Sequence, residues 1–479
     1  MKTFLNGITL ETFASFMSGK VYMNEADRKK QLSYICTDSR EVEESSVFVA
    51  IVGERTDGHK YIDTATEKGA ALIICEHMPE KIDPNCAYVV SKNSEKELLF
   101  AAHEYRKRCC GSLRAVAVTG SVGKTTAKEI IYSALSKKLD VYKTDGNFNS
   151  VIGMPISLLG MESDRKYAVY EMGMSALGEI HSMSSALEPY IGVITNVGHS
   201  HLEYLKTREN ILKAKLEITD GIPDNGYLIV NADDEMLSSV DYSKYSFKTV
   251  KCSIEDKNAD LYAYNIRFTD RNSMIFDYNC GSDTYTDTEI AGVGVHLVRT
   301  ALCAIAAGTL LGLSAAECTE GFANYKNASM RQNIIDVGGI TVIEDCYNAA
   351  PESMRAAIDT LIRLKGKDGR AKAIAVLGDM KELGESTDAL HFSLGEYAAR
   401  AGTDTVITFG ELAKNIADGA ISVGMHKDSV ISLDDIGEEE TSDLLGKILK
   451  RGDVILVKAS RSMRGERVIE LLKKLYSES

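Results

Sequence analysis

A glycine-rich segment constrains the fold of this chain more than any other part of it. It lies between a strand predicted at Leu113–Thr119 and a helix predicted at Thr126–Lys138, and it reads Thr119-Gly120-Ser121-Val122-Gly123-Lys124-Thr125-Thr126. Glycines let the backbone approach a phosphate and direct N–H groups at it, and the helix that follows adds the positive end of its dipole. The lysine is placed to reach the β- and γ-phosphates and the next hydroxyl to hold Mg²⁺. The segment therefore predicts a P-loop that binds ATP, in a variant with Val118 at the usual first glycine.

Strand-like runs alternate with helical patterns along most of the chain. Such alternation indicates parallel sheets covered by helices on both faces. We predict an α/β fold of three domains. They are a small N-terminal α/β domain over 1–111, a central P-loop ATPase domain with a parallel sheet over 112–327 and a C-terminal Rossmann-like α/β domain over 328–479. The polar, tyrosine-rich stretch from Asp241 to Glu289 is predicted as an antiparallel excursion at the edge of the central sheet.

Composition excludes several classes of partner. The 479 residues carry a formal net charge of −14 and no long basic run, which argues against nucleic acid or an anionic membrane as the main partner. No apolar run approaches the roughly 20 residues that span a bilayer, and the start lacks the pattern of a signal peptide. The ten cysteines include no Cys-x-x-Cys pair, as is typical of reduced thiols. We therefore expect a cytoplasmic protein.

Polar side chains follow two further strands of the predicted central sheet. Glu171 ends the strand Tyr167–Glu171, and two histidines, His199 and His201, follow the strand Ile191–Asn196. Ligands of open α/β sheets collect at the carboxyl ends of strands, and a carboxylate there suits Mg²⁺. We therefore predict that Glu171 and at least one histidine serve the site, whereas nothing in the pattern around Lys215 distinguishes it from a solvated lysine.

The order of these motifs resembles the Mur ligases of peptidoglycan synthesis. The matching segments of the first two regions are Asp38-Ser39-Arg40, Asp57-Gly58-His59, Thr119–Thr126, Gly146–Asn149, Glu171-Met172-Gly173, His201-Leu202-Glu203 and Ala214-Lys215-x-Glu217. Within that family, the third region resembles the branch that adds D-Ala-D-Ala to UDP-MurNAc-tripeptide. Its matching segments are Arg331, Asp345–Met354, Leu377–Gly384 and Lys458–Arg461.

The resemblance implies an ATP-dependent ligase that forms an amide through an acyl phosphate. It implies a monomer that uses ATP and Mg²⁺ and takes UDP-MurNAc-tripeptide and D-Ala-D-Ala as substrates. It assigns catalysis to Lys124, His201 and Lys215, the last as a carbamylated lysine, and the metal to Thr125, Glu171, His201 and Lys215. It assigns the nucleotide to Gly120, Ser121, Val122, Gly123, Lys124, Thr125, Thr126, His296, Arg331 and Asp345. It assigns the UDP precursor to Ser39, Arg40 and Asn149.

Several positions depart from the family pattern. Side-chain amides are replaced at Ser150, Leu297, Thr300 and Ala350, and a glycine is replaced at Ala459. The phosphate and metal residues are intact, so the chemistry is better supported than the substrate. Three alternatives stay open: a ligase adding the third stem residue, a folylpolyglutamate or cyanophycin type of ligase, and a non-catalytic nucleotide-binding relative. The Asn-Pro-Arg signature typical of the diamino-acid-adding enzyme is absent from the sequence.

Overall fold

The strands form three separate sheets in the computed structural model, which describes residues 1–53, 56–269, 272–365 and 370–476. The first sheet has the order β1-β3-β4-β5-β6-β2, and its inner four strands β3 to β6 run parallel. The strands are β1 (Lys2–Phe4), β2 (Lys20–Tyr22), β3 (Tyr34–Cys36), β4 (Val47–Val49), β5 (Leu72–Cys75) and β6 (Ala87–Val90). The helices beside them are α1 (Leu10–Ala14), α2 (Ile62–Glu67) and α3 (Ser94–Cys109).

The central sheet has nine strands in the order β15-β14-β13-β12-β11-β10-β7-β9-β8. They are β7 (Arg114–Thr119), β8 (Val141–Lys143), β9 (Tyr167–Glu171), β10 (Ile191–Ile194), β11 (Tyr227–Asn231), β12 (Lys248–Ser253), β13 (Leu261–Phe268), β14 (Ser273–Cys280) and β15 (Asp283–Ala291). The helices are α4 (Lys124–Ser136), α5 (Gly153–Leu159), α6 (Glu179–Leu187), α7 (Leu202–Leu205), α8 (Arg208–Leu216), α9 (Glu235–Ser238), α10 (Val295–Leu310) and α11 (Ala315–Gly321).

The antiparallel excursion is shorter than predicted. Strand β12 pairs parallel with β11, and β13 pairs parallel with β12. Antiparallel pairing begins with the β13–β14 hairpin and continues between β14 and β15. The prediction rested on the alternating pattern of Leu261–Phe268, which is typical of a strand with one polar face. That pattern marks an edge position, but it does not distinguish the direction of the neighbouring strand.

The third sheet has the order β16-β17-β21-β18-β19-β20, parallel except for β16. Its strands are β16 (Asn333–Val337), β17 (Ile340–Asp345), β18 (Ala373–Gly378), β19 (Thr405–Phe409), β20 (Val430–Leu433) and β21 (Val454–Lys458). Its helices are α12 (Pro351–Lys365), α13 (Thr387–Ala401), α14 (Lys414–Ser422), α15 (Glu438–Ile448) and α16 (Glu466–Tyr476). The predicted α/β class with three sheet-based units is confirmed.

The polar motifs lie in the segments that follow the carboxyl ends of the parallel strands. In the central sheet β7 lies between β9 and β10, so the loops after these three strands meet at one edge. In the third sheet β21 lies between β17 and β18 in the same way. Both arrangements place loops from different parts of the sequence side by side, which is how open α/β sheets build ligand sites.

No helix among the described residues is both long and apolar enough to cross a bilayer. All ten cysteines are free, and eight of them are buried.

Helices α13 and α14 approach so closely that glycine is required on both. A Cβ on Gly395 would lie 1.9 Å from the Ile416 carbonyl oxygen, and one on Gly419 would lie 2.0 Å from the Phe392 carbonyl oxygen. Close-packed interiors yield little to an added methyl group, which costs about 1–3 kcal/mol. We expect Gly395→Ala to lower the free energy of unfolding of the C-terminal region by that amount, as measured by denaturant unfolding.

Gly446→Ala is the matched control, because this glycine lies inside helix α15 with open space where a Cβ would stand. Alanine is favoured over glycine inside a helix by roughly 0.5–1 kcal/mol, so this variant should be as stable as the parent or more stable. Equal effects of the two substitutions would contradict the packing described for α13 and α14.

Candidate active site

The glycine-rich loop after β7 is held against the loop after β10. Ser121 donates its backbone N–H to the Asn196 carbonyl oxygen at 3.1 Å, and Val122 donates its own to the Asn196 side-chain oxygen at 3.0 Å. A Cβ on Gly120 would lie 1.9 Å from Thr195 Oγ1, so only glycine permits this approach. The loop therefore has a fixed shape, which is what an anion receptor made of backbone N–H groups needs.

Lys124 begins helix α4 directly after Gly123, whose φ of +81° favours glycine. Its Nζ donates to the Gly120 carbonyl oxygen at 2.8 Å, so the side chain folds back over the loop. Burial lowers the pKa of this ammonium from its usual range; the Glu171 carboxylate opposes the shift, and Arg331 adds to it. The structure thus brings Lys124, Glu171 and Arg331 within electrostatic reach of one another, although the last belongs to the C-terminal region.

Glu171 points one free oxygen at this site. The residue is 2% exposed, and its Oε1 accepts a hydrogen bond from Asn149 Nδ2 at 2.7 Å. Its Oε2 is buried and has no hydrogen-bond partner among the described residues. A buried carboxylate oxygen without a partner is costly, and a cation would satisfy it. The donor set of Glu171 and the Thr125 hydroxyl is therefore suited to Mg²⁺.

Lys215 is buried beside the P-loop lysine. It lies on helix α8 and is 1% exposed. Burial, together with the charge on Lys124, lowers the pKa of its ammonium well below the usual value, while Asp234 opposes the shift. A neutral amine is the form that adds CO₂ to become a carbamate. The surroundings of Lys215 therefore favour both a neutral amine and an anionic derivative next to a cation.

His201 faces the C-terminal region. It has a φ of +68° at the start of the short helix α7. Its Nδ1 lies 2.7 Å from Glu382 Oε2, outside hydrogen-bonding geometry, and the Glu382 carbonyl oxygen accepts the Glu203 N–H at 3.0 Å. The loop after β10 is thus in direct contact with the loop after β18. Glu382 also lies within electrostatic reach of Lys124, so His201 is close to the phosphate loop.

The predicted metal residues do not form a preformed metal cage. Within the four described ranges, no group of three or more histidine, cysteine, aspartate or glutamate side chains is spaced to hold a metal. Mg²⁺ is commonly held by one or two carboxylates together with water and substrate phosphates. The arrangement around Glu171 is consistent with that mode of binding.

Asp345 lies at the end of β17 and forms a buried ion pair. Lys458 Nζ donates to Asp345 Oδ2 at 2.7 Å and to the Asn348 carbonyl oxygen at 2.9 Å. Burial lowers the pKa of the His296 imidazole to about 4, and Asp345 opposes the shift. Asp345, Lys458 and His296 therefore meet where α10 of the central region faces the third sheet, and Arg331 lies 4.3 Å over the Tyr347 ring nearby.

The positions that depart from the family pattern face inward. Leu297 and Thr300 are buried on α10, and the Thr300 hydroxyl donates to the His296 carbonyl oxygen. Ala350 and Ala459 are also buried. Ser150 accepts the Gly153 N–H through its hydroxyl oxygen. Their side chains serve local packing and turns, so none of them supplies the amide group that the family pattern has at its position.

Ser39 and Arg40 belong to the first sheet region, apart from the residues above. Lys68 Nζ donates to both of their carbonyl oxygens, at 3.0 and 3.1 Å. The Arg40 side chain is 87% exposed and contacts Asp38, whose pKa its guanidinium lowers to about 2. Arg40 therefore presents its positive charge to solvent. Lys68 holds the backbone of its loop, and Asp38 contacts its guanidinium.

A cavity of about 230 Å³ lies between the loop after β10 and the C-terminal region. Cationic, hydroxyl and small apolar side chains share its wall. The lining residues are Ser200, His201, Asn348, Ala349, Ala350, Lys381, Glu382, Ser460, Arg461 and Ser462. Lys381 and Glu382 were not predicted as site residues. The motif Leu377–Gly384 that contains them spans the carboxyl end of β18, and that position is a signal for a ligand site.

Comparisons with known proteins cover the whole length of the chain. Three family profiles match in order: "Mur ligase family, catalytic domain" over 31–107, "Mur ligase middle domain" over 118–308 and "Mur ligase, glutamate ligase domain" over 330–461. The UDP-N-acetylmuramoyl-tripeptide–D-alanyl-D-alanine ligase of Bacillus subtilis is 34% identical over 466 residues, which are 96% of this chain and 97% of that one.

Two solved structures superpose on the full architecture. MurF from Acinetobacter baumannii has a TM-score of 0.87 and 27% identity, covering 98% of this chain and 99% of that one. The MurF ligase from Thermotoga maritima in complex with ADP has a TM-score of 0.81 and 31% identity, covering 93% and 98%.

The position of Lys124 predicts its contribution to phosphate transfer. We expect Lys124→Ala to retain the fold and to reduce phosphate release from MgATP, with all substrates present, by at least about a hundredfold, the scale of one preorganised charge contact. Lys137→Ala, an exposed lysine beyond the end of the same helix, is the control and should turn over normally. Near-parental turnover by Lys124→Ala would refute the P-loop assignment.

Proposed function

The chain belongs to the Mur ligase family, and we propose that it is an ATP-dependent ligase that joins D-Ala-D-Ala to UDP-MurNAc-tripeptide. The proposal includes Mg²⁺ as the metal, a monomer as the active form and the cytoplasm, where ATP is supplied, as its location. It also includes the division into an N-terminal domain over 1–111 for the UDP precursor, an ATP domain over 112–327 and a C-terminal domain over 328–479 for the amine. Each domain contains one of the three sheets.

The cavity lined by Lys381 and Arg461 carries the proposal. Lys381 is held by Asp379 at 2.8 Å, and its backbone N–H donates to Ser460 Oγ. Arg461 is held by Glu466 at 2.5 Å. Two cations held in place among the residues that line this cavity can bind a carboxylate, such as the one at the end of a dipeptide.

The size and position of the cavity also fit D-Ala-D-Ala. Ala349 and Ala350 are among its lining residues, and such small residues suit a ligand with small side chains. The lining also includes Ser200 and His201, and the Ser200 hydroxyl donates to the Ser121 carbonyl oxygen of the phosphate loop. A dipeptide with its carboxylate at Lys381 and Arg461 would therefore direct its amine toward the P-loop.

The reaction must activate a carboxylate, because a carboxylate is a poor electrophile at neutral pH. A terminal oxygen of the tripeptide attacks the γ-phosphorus of ATP, ADP leaves and an acyl phosphate forms. The deprotonated amine of D-Ala-D-Ala then attacks the carbonyl carbon, the C–O bond to phosphate breaks and phosphate leaves. The loop N–H groups, Lys124 and Arg331 neutralise the phosphates during both steps.

The remaining residues hold and orient the reactants. Thr125, Glu171, His201 and carbamylated Lys215 would hold Mg²⁺, which neutralises phosphate charge and polarises the P–O bonds when bound. His296 and Asp345 would contact the nucleoside of ATP, and Ser39 and Arg40 would bind the UDP end of the precursor. Asn149 orients the Glu171 carboxylate through the hydrogen bond described above, in addition to its predicted contact with the precursor.

A parallel substrate assay tests the activity. We expect phosphate release and a new amide product from UDP-MurNAc-tripeptide with D-Ala-D-Ala, and much slower turnover with L-Lys or meso-diaminopimelate. Lys381→Met should raise the KM for D-Ala-D-Ala about tenfold to a hundredfold, the range of one hydrogen bond to a charged group. The parent should discriminate strongly against the C-terminal amide of the dipeptide, and the variant should discriminate much less.

Lys414→Met is the control, because this exposed lysine pairs with Glu411 and Asp434 away from the cavity. Product formed only when a dipeptide precursor meets L-Lys or diaminopimelate would assign the chain to the ligase for the third stem residue. Product from folate or cyanophycin substrates alone would assign it to those types, and no turnover of any amine would favour a non-catalytic relative.

Lys215 gives a second test of the same chemistry. We expect Lys215→Ala to be nearly inactive and to be partly rescued by a short carboxylic acid that replaces the anion of the carbamate. Lys213→Ala is the matched control, since this lysine is exposed on the same helix two residues away. A mass of the intact active enzyme without the added carbamate, together with no rescue by the acid, would contradict the carbamylation proposal.

A further inference from the structure

Helix α12 is one of the elements through which the C-terminal region contacts the central region. Near its end, the Thr360 hydroxyl donates to the Val293 carbonyl oxygen at 3.3 Å, and an Arg363 nitrogen lies 3.8 Å from Met274 Sδ. Its first turn reaches the loop after β10 instead. The helix therefore contacts the central region at both ends, so a shift of the C-terminal region moves α12 against two separate surfaces.

Glu352, in the first turn of α12, binds the loop after β10 with one oxygen. The His199 backbone N–H donates to Glu352 Oε1 at 3.1 Å, and His199 Nδ1 lies 2.5 Å from the same oxygen. A Cβ on Gly198 would lie 2.5 Å from the carboxyl carbon, so the carboxylate occupies space that only a glycine leaves open. The contact is thus made to the backbone of the loop as well as to a side chain.

The other side of this loop holds the phosphate loop. Gly198 donates its N–H to Ser121 Oγ at 2.9 Å, and the Ser200 hydroxyl donates to the Ser121 carbonyl oxygen at 3.3 Å. Three consecutive loop residues therefore connect the Glu352 carboxylate to the P-loop. A displacement of Glu352 relative to the central region would be transmitted to Ser121 through two hydrogen bonds.

Stability alone does not account for Glu352. Its second oxygen, Oε2, is buried and has no hydrogen-bond partner within the described ranges. Burying half of a carboxylate without a partner is unfavourable, which offsets part of what the His199 contacts contribute to stability. Glu352 has a buried oxygen without a partner and lies between the C-terminal region and the loop after β10. Its position is therefore better explained by a role in aligning these two parts than by stability.

We infer that Glu352 is a positioning residue that sets the C-terminal region in register with the P-loop through Gly198 and His199. The kinetic consequence of this inference rests on the proposed function. The amine site lies on the C-terminal region and the phosphate site on the central region, so their alignment decides how often the amine meets the acyl phosphate. Glu352 fixes that alignment from outside the reacting atoms.

Hydrogen exchange tests the contact without reference to any reaction. In Glu352→Ala the His199 amide loses its acceptor, so a peptide covering 196–202 should exchange several-fold faster than in the parent protein with MgADP present. The unfolding temperature of the variant should remain that of the parent. Asp359→Asn is the control, because this carboxylate lies on the same helix but contacts Tyr397 within the C-terminal region.

Kinetics test the consequence. Glu352→Ala should lower kcat/KM for D-Ala-D-Ala about tenfold, the scale of one charge-assisted hydrogen bond, and leave the KM for UDP-MurNAc-tripeptide unchanged. Glu352→Gln, which keeps an oxygen acceptor, should lie between the parent and the alanine variant. The double variant Glu352→Ala/His199→Ala should be no worse than the more impaired single variant, since Glu352→Ala already removes the contact of the His199 ring.

Unchanged exchange of the 196–202 peptide in Glu352→Ala would overturn the inference whatever the substrates prove to be. Additive kinetic losses in the double variant, or a loss accompanied by a lower unfolding temperature, would also overturn it. If the exchange result holds but no Mur-type substrate turns over, the alignment role stands and the proposed function fails.

Discussion

Two lysines lie together at the carboxyl edge of the central sheet, where the carboxylates of Glu171, Glu382 and Asp234 also act on them. The pKa values of Lys124 and Lys215 are both lowered, chiefly by burial, and each lysine is affected by charges at this edge. Like charges in a dry site are unfavourable unless anions complete the balance. Phosphates at the P-loop and a carbamate on Lys215 would supply those anions. The loop N–H groups, together with Lys124 and Arg331, therefore make this edge a receptor for phosphate before any substrate is specified.

The C-terminal region completes the receptor from the other side. Arg331 and Glu382 lie within electrostatic reach of Lys124, and Glu382 also contacts the loop of His201. The cavity proposed for the amine opens between the same two regions. Because the proposed phosphate site and the proposed amine site are on different regions, the proposed chemistry depends on how those regions meet. The contact of Glu352 with the loop after β10 is the inferred determinant of that meeting.

Local sequence patterns predicted the helices and strands more accurately than they predicted the contacts between those elements. The strand Tyr167–Glu171 was predicted with the bounds that the structure has, and the alternating run Leu261–Phe268 forms a single strand, because such patterns are local signals. The glycine-rich loop was predicted for the same reason. The predicted antiparallel pairing of β12 and β13 was wrong, because the relative direction of strands depends on which strands are neighbours in space. Lys381, Glu382 and Glu352 were given no role. Glu382 and Glu352 contact the loop after β10, and Lys381 contacts Ser460, and no local periodicity reports such meetings.

The central claim is that the carboxylate of one substrate is phosphorylated by ATP and then attacked by an amine. It is tested most directly by labelling the terminal carboxylate of UDP-MurNAc-tripeptide with ¹⁸O and measuring the isotope in the products after ligation to D-Ala-D-Ala. Attack of the carboxylate on the γ-phosphorus and cleavage of the C–O bond predict one ¹⁸O atom in each inorganic phosphate released. Unlabelled phosphate, or ¹⁸O recovered in AMP, would contradict the account.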